Sequence, residues 1–434
     1  MHIFFSGIGG SGIGPLAEIA HQMGYQVSGS DKQASRAIDH LRAIGINGIH
    51  IGQSAEQIAA VHAAAPIDWL VYSSAVAFEG VGAPEIEFAR ANGVRVSKRD
   101  ELLNEMLGQH RLDMIAVAGT HGKTTTVAMT VWTLLSLGVP VSYLLSAETT
   151  FAKMASFDPA SRYFVYEADE FDRNFLHFSP GVALISGIGY DHQEIFPTVD
   201  DYNAAFHQFI AQTGRTFIWQ DDAERLDLGS SPAVTMLPED TDASVVRLAG
   251  RFNRRDAMLV ATAVQATTGD PLPRLTDVLS QFPGLGERME PIAPGLYSNY
   301  AHTPEKIVAA IDAALELKRP DQRLVVVYEP LTNRRQHFLQ DSYPHVFDGV
   351  DRLYWVPTRL AREDPAQPVL TPSDMIARLD DRARAIATPA VIGDALKAAI
   401  ARHLQDGDIV VAMVAGGAGD GLDHWLRQTF GAVG

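Results

Sequence analysis

The stretch Gly-Thr-His-Gly-Lys-Thr-Thr-Thr at residues 119–126 holds the densest chemistry in the chain. An apolar run, Met114 to Ala118, precedes it, and a helix-forming segment, Val127 to Leu137, follows it. A strand, a glycine turn and a helix in that order present backbone amides and a positive helix end to phosphate oxygens. Gly119 and Gly122 permit the tight turn, Lys123 can reach the outer phosphates of a triphosphate, and the Thr124 hydroxyl suits a magnesium ion. ATP and Mg²⁺ are therefore the expected cofactors. Thr120, His121 and Thr125 complete the loop, with His121 expected to pack or polarise rather than act as a base. Val117 stands where the usual phosphate-loop pattern has its first glycine, so the context of the loop carries the reading. The competing reading is an apolar strand that simply ends in a glycine turn.

Carboxylates recur where a phosphate site needs them. Glu167, Asp169, Glu170 and Asp172 end one strand-like run, and Asp191 and His192 end the next. Magnesium prefers oxygen ligands and neutralises charge on a transferring phosphoryl group, so Thr124 and Glu167 are the expected pair of ligands. His192 is assigned a second ion or a substrate oxygen. A solvated acidic loop and a packed histidine are the alternatives.

A second glycine loop, Gly-Ile-Gly-Gly-Ser-Gly at 7–12, follows a strand and precedes a helix, and Asp31 ends the next strand. The loop exposes amides to a diphosphate, and the carboxylate can accept from ribose hydroxyls. Gly9, Gly10, Ser11, Gly12 and Asp31 are thus candidate substrate contacts, joined by Ser73 and Ser74 at the end of the strand Trp69 to Tyr72. An NAD site and a turn serving only packing remain open beside a UDP-type site.

These residues need a scaffold that brings strand ends together. Short apolar runs alternate with amphipathic stretches from His2 to Ser97, restart at Met114, and restart again at Gly295, ending with Asp408 to Val414 and a glycine-rich run at 416–419. That rhythm predicts βαβ units around parallel sheets. Three consecutive α/β domains are expected, at 1–108, 109–283 and 284–434, the third series beginning after the Pro/Gly-rich stretch 282–290. A length of 434 residues exceeds what one core organises. The hydrophobic fraction of 46% is ordinary, and no apolar run reaches the roughly 18 residues of a membrane span. With no leader-like start either, a cytoplasmic location without stable membrane association is expected. Zero cysteines exclude disulfides, thiolate zinc sites and cysteine nucleophiles. A net charge of −17 argues against nucleic acid as a partner. Oligomeric state is open, with a homodimer one option.

The motifs together, in order and spacing, resemble the Mur ligases of peptidoglycan synthesis. The matching segments are 7–14, 27–31, 72–76, the phosphate loop, 167–176, Asp191-His192, Gly-Arg-Phe-Asn at 250–253 and Tyr-Ala-His-Thr-Pro at 300–304. The resemblance implies a Rossmann-like first domain for UDP-N-acetylmuramate, a central ATP domain, and a Rossmann-like third domain that helps bind the amine donor. It implies phosphorylation of the sugar acid's carboxylate by ATP, then attack by an amine, expected to be that of L-alanine. Asn253 resembles an adenine-side asparagine, Arg288 an arginine that reaches ATP, and His302 a histidine near the reacting groups, so Lys123, His192 and His302 are the expected catalytic residues. Arg334 and Arg335 follow a strand end and suit a bidentate clamp on the amino acid's carboxylate, unless they are surface charge.

Departures from the family pattern are Asn299 for aspartate, Thr303 for histidine, Asp256 for asparagine and Phe171 for serine. Tyr202 to Phe209 lacks a lysine, so no lysine carbamate is expected. The segment 191–196 also resembles a branch that attaches a preformed tripeptide to the same sugar nucleotide. A dinucleotide-dependent oxidoreductase explains only the first glycine loop, and a catalytically weakened nucleotide-binding protein is the reading favoured by the departures.

Overall fold

The computed structural model describes all residues except 11, 74–75, 77–82, 193–194, 287, 359, 361–366, 415–420 and 432–434. Ser11, Ser74, the pair Gln193 and Glu194, and the glycine-rich run at 416–419 therefore lie outside the described residues. The chain divides into two compact units, one made of Met1–Thr241 with Leu259–Leu279 and the other of Asp242–Met258 with Ser280–Gly434.

The first unit contains two sheets. Strands β1 (His2–Ser6), β2 (Gln26–Asp31), β3 (Gly48–Ile51), β4 (Trp69–Tyr72) and β5 (Arg95–Lys98) form a parallel sheet in the order β3-β2-β1-β4-β5. Strand β1 is buried along its whole length, as a central strand covered on both faces must be. The chain reverses direction of growth between β1 and β4, so the crevice at their carboxyl ends is where a ligand of such a sheet binds. Gly7 to Gly12 follows β1 directly into that crevice.

The second sheet comprises β6 (Asp113–Ala118), β7 (Val141–Leu144), β8 (Ala155–Ser156), β9 (Tyr163–Glu167), β10 (Val182–Ile185), β11 (Arg215–Trp219) and β12 (Val234–Leu237), ordered β12-β11-β10-β6-β9-β7-β8. All its pairs are parallel except β7 with β8. Strand β6 lies between β10 and β9, so the loops after these three strands open side by side. Those loops carry the phosphate-loop motif, Asp191-His192 and the acidic run. The two sheets share one apolar core: Leu102, Leu103 and Met106 from the helix Arg99–His110 pack in the same cluster as Met114, Phe164 and Phe206.

The second unit holds β13 (Arg288–Ala293), β14 (Leu296–Asn299), β15 (Leu324–Tyr328), β16 (Arg352–Trp355), β17 (Ala387–Pro389) and β18 (Ile409–Met413), ordered β13-β14-β18-β15-β16-β17. Its central strands β15 and β18 are wholly buried Val/Ile-rich runs. The third series begins earlier than Gly295: β13 starts at Arg288 and pairs antiparallel with β14, and the Pro294-Gly295 turn between them uses the positive φ of Gly295, +79°. The helix Arg251–Thr268 contributes to both units.

Candidate active site

The phosphate loop is built from glycine geometry and hydroxyl ties. Gly119 has φ +135°, and a Cβ there would lie 2.9 Å from both Gly187 O and Ser186 Oγ, so only glycine lets β6 turn this close to the end of β10. The Thr120 amide donates to Gly187 O at 2.7 Å, its hydroxyl donates to Gly189 O at 2.6 Å, and it also meets the Tyr202 hydroxyl. Thr120 thus secures the loop from below. The backbone oxygen of His121 accepts from Ser186 Oγ, and its ring lies over Gly189, where a Cβ would stand 3.1 Å from Nε2. Gly122, at φ +77°, precedes the helix Lys123–Ser136 and no side chain caps it, which leaves the first-turn amides to a ligand. Thr125 belongs to that first turn.

Lys123 lies at the centre. Its Nζ donates to Gly119 O at 2.7 Å and to Glu170 Oε2 at 2.6 Å, with Asp169 Oδ1 at 3.7 Å. Burial alone would lower its pKa, but Glu170, Asp169 and Glu167 more than offset that and hold the ammonium above the ordinary lysine value. Burial drives Glu170 upward against the pull of Lys123. Asp169 ends below its ordinary value because Lys123, the Phe171 amide, His192 and Arg99 outweigh its burial.

Thr124 Oγ1 donates to Glu167 Oε2 at 3.0 Å, so the two residues expected to share a cation already touch. No group of three His, Asp or Glu side chains forms a metal cage among the described residues. One hydroxyl and one carboxylate, completed by water and phosphate oxygens, nonetheless fit magnesium's habit. His192 belongs elsewhere: its Nε2 faces Glu170 Oε1 at 3.7 Å and Asp191 Oδ2 at 4.0 Å, its ring meets Phe171 edge-on, and its φ is +57°. His192, expected to hold a second ion or a substrate oxygen, thus lies beside Lys123's carboxylate partner, Glu170. Glu170 and Tyr202 were missed as site residues, since nothing in the sequence shows which member of the acidic run turns inward.

At the first sheet, Gly9 N donates to Asp31 Oδ2 at 2.8 Å, and a Cβ on Gly9 would meet that oxygen at 2.9 Å. Asp31 therefore ties the glycine loop to β2, and one carboxylate oxygen is already engaged there. Gly10 continues the turn, its amide donating to Gly7 O. Ser73 accepts from the Val76 amide at 3.2 Å and sits against Gly7, a turn-forming role beside the loop. A residue that the sequence reading passed over, Arg99, lies against Gly12, where a Cβ would be 2.1 Å from its Nη1.

In the second unit, Arg288 donates to Tyr300 O at 3.2 Å and stacks on the Tyr300 ring. His302 is buried, near Tyr300 and 3.5 Å from Lys306 Nζ. The Asn253 amide donates to Ala249 O at 2.7 Å. Arg334 is exposed whereas Arg335 is half-buried near Tyr328 and Tyr343. Neighbours on one helix point about 100° apart, so the two side chains leave the helix in different directions.

Three family descriptions cover most of the chain: "Mur ligase family, catalytic domain" at 2–111, "Mur ligase middle domain" at 117–264 and "Mur ligase, glutamate ligase domain" at 287–416. The chain belongs to the Mur ligase family, whose enzymes are ATP-dependent ligases. Among individual proteins it is similar to the UDP-N-acetylmuramate–L-alanine ligase of Roseiflexus sp., 31% identical over 97% of both chains. In fold it is similar to the UDP-N-acetylmuramate–alanine ligase of Thermotoga maritima, with a TM-score of 0.74 at 20% identity over 99% of this chain and 98% of that one. It also resembles in fold the murein peptide ligase of Psychrobacter arcticus, with a TM-score of 0.65 at 23% identity over 100% of this chain and 99% of that one. The expected three-domain α/β architecture holds.

Proposed function

We propose that this chain is an ATP-dependent ligase that joins L-alanine to the carboxylate of UDP-N-acetylmuramate through an acyl phosphate, in cytoplasmic peptidoglycan precursor synthesis. The observation that carries the reading is the Lys123 ammonium at an uncapped helix start, beside the touching pair Thr124 and Glu167. ATP with Mg²⁺ would supply the phosphoryl group and neutralise charge across its oxygens, with Thr124 and Glu167 as the protein ligands.

In this reading the domains fall at 1–108 for the sugar nucleotide, 109–283 for ATP and 284–434 for the amino acid. The first-turn amides and Lys123 orient the phosphates, and Glu170 and Asp169 keep the lysine charged and aimed until phosphate oxygens replace them. Gly9, Gly10 and Gly12 hold the sugar nucleotide, with Asp31 fixing the turn. His302, Arg288 and Asn253 keep the roles that the family resemblance implies, and Arg335 receives the amino acid's carboxylate. Displacement needs no enzyme nucleophile, only positioning and exclusion of water from the acyl phosphate.

Phosphate release should require both UDP-N-acetylmuramate and an amine, tested with L-alanine, glycine, L-serine and the tripeptide. Release that ignores either substrate would overturn the proposal. Turnover with the tripeptide alone would favour the recycling ligase, a reading supported by the fold likeness to the murein peptide ligase.

A further inference from the structure

On the proposed function, a sugar nucleotide rests on the glycine loop at 7–12, and this inference deepens that assignment. Arg99 opens the helix Arg99–His110 directly after β5, at the carboxyl end of a parallel strand. Its guanidinium occupies the space that the missing side chain of Gly12 leaves free, since a Cβ there would approach Nη1 to 2.1 Å. The group is largely covered, with 24% of the side chain exposed, and the ion-pair contact it makes is a long one, 3.9 Å from Nε to Asp100 Oδ1. No oxygen among the described residues accepts a hydrogen bond from it. Tyr166, Asp100, Asp169 and Glu167 raise its pKa against the effect of burial.

A guanidinium carries five N–H donors in a fixed fork, and leaving them unused in a covered site is costly. The donors of Arg99 stand beside Gly12, on the loop that the proposed function gives to the sugar nucleotide. We infer that Arg99 is a substrate-binding residue whose guanidinium takes an anionic oxygen group of the sugar nucleotide across Gly12. Two groups of that ligand have the required chemistry, the diphosphate and the sugar acid's carboxylate. Arg99 tethers the ligand between the first sheet and the Lys123 site, and the absence of a side chain at position 12 is what admits it.

The test is calorimetric binding of UDP-N-acetylmuramate and of UDP-N-acetylglucosamine, which shares the diphosphate and lacks the acid, to wild type, Arg99→Ala and Arg99→Lys. Losing charge-assisted hydrogen bonds should weaken binding about 10- to 100-fold, with Arg99→Lys recovering only part because an ammonium cannot form a fork. Loss with both ligands assigns the diphosphate, and loss with the muramate alone assigns the carboxylate. Gly12→Ala should weaken the wild type comparably yet add little in the Arg99→Ala background, because its Cβ acts by displacing Nη1. Binding of Mg·ATP alone should stay unchanged, whereas a purely structural role would lower it along with the melting temperature. If Arg99→Ala does not fold, Arg99→Lys and Gly12→Ala decide. Variants that bind both ligands as wild type does overturn the inference and leave the proposed function standing. A wild type that binds neither ligand overturns both.

Discussion

Cutting the Lys123–Glu170 pair probes the centre of the site. The two charges are 2.6 Å apart on side chains 12% and 1% exposed. At an effective dielectric of about 20 that separation is worth roughly 6 kcal/mol of gross attraction, from which the desolvation of both groups must be subtracted. Removing one partner of a buried pair costs about 3–5 kcal/mol. Glu170→Gln keeps an acceptor and leaves Asp169 3.7 Å from the ammonium, so the expected loss lies lower, about 2–3 kcal/mol. Lys123→Met strands a carboxyl that burial already pushes toward its protonated form, with a loss of similar size. The double variant should lose less than the two singles together, with a coupling energy of about 2 kcal/mol. Denaturant unfolding of the four proteins at neutral pH, followed by fluorescence, measures the cycle. Mg·ATP should restore more of the lost stability in Glu170→Gln than it adds to wild type, because phosphate oxygens take over the missing carboxylate's part. A coupling energy near zero would falsify the claim that Glu170 prepositions the phosphate-loop lysine.

Gly119→Ala forces a left-handed backbone onto alanine and drives a Cβ toward Gly187 O, so it should cost about 2–4 kcal/mol and abolish nucleotide binding. Calorimetry with Mg·ATP checks this, and near-normal binding refutes the tight-turn argument. Thr124→Val keeps the shape of the side chain and removes the hydroxyl facing Glu167; turnover should then need about 10- to 100-fold more Mg²⁺, and an unchanged Mg²⁺ titration removes Thr124 from the ligand set. Glu85 is fully buried, accepts from Ser6 Oγ at 2.5 Å and has its pKa raised mainly by burial. A carboxyl raised in the folded state contributes stability at low pH and loses it as pH rises through the folded value. Glu85→Gln should therefore stabilise the protein at neutral pH by on the order of 1 kcal/mol, with the gain fading as pH falls through the folded value and gone by about pH 4. Melting curves across that range that run parallel for both proteins would count against a carboxyl whose pKa burial raises.

The legible parts of this chain were those whose signal is local. Strands β1, β6, β15 and β18 are continuous apolar runs because they are covered on both faces, and each was readable from hydrophobicity alone. Strands β3, β12 and β17 went unread because they are short and only partly buried, so neither alternation nor a solid apolar run marks them. The phosphate loop announces itself because glycine and lysine are required at fixed offsets. Arg99 does not, because its meaning lies in meeting Gly12 across the crevice of the first sheet, 87 positions earlier in the chain. The choice among Glu167, Asp169 and Glu170 was equally hidden. After β9 the backbone bends through left-handed Asp172 and Arg173, and Asp172 meets Lys98 whereas Asp169 and Glu170 face Lys123.

The departures from the family pattern in the second unit gain meaning from the same distinction. The turn at 299–304 is held by main-chain bonds: Asn299 O accepts from the Ala301 and Val414 amides, and Pro304 starts a helix at the position where its missing N–H costs nothing. None of these bonds depends on the side chains at 299 or 303. Thr303 occupies the N-cap of that helix without capping it, and its buried hydroxyl has no hydrogen-bond partner among the described residues. Replacing the family's usual aspartate and histidine by Asn299 and Thr303 therefore leaves the local fold its own supports. What the replacements alter is the charge and proton-holding capacity displayed beside His302.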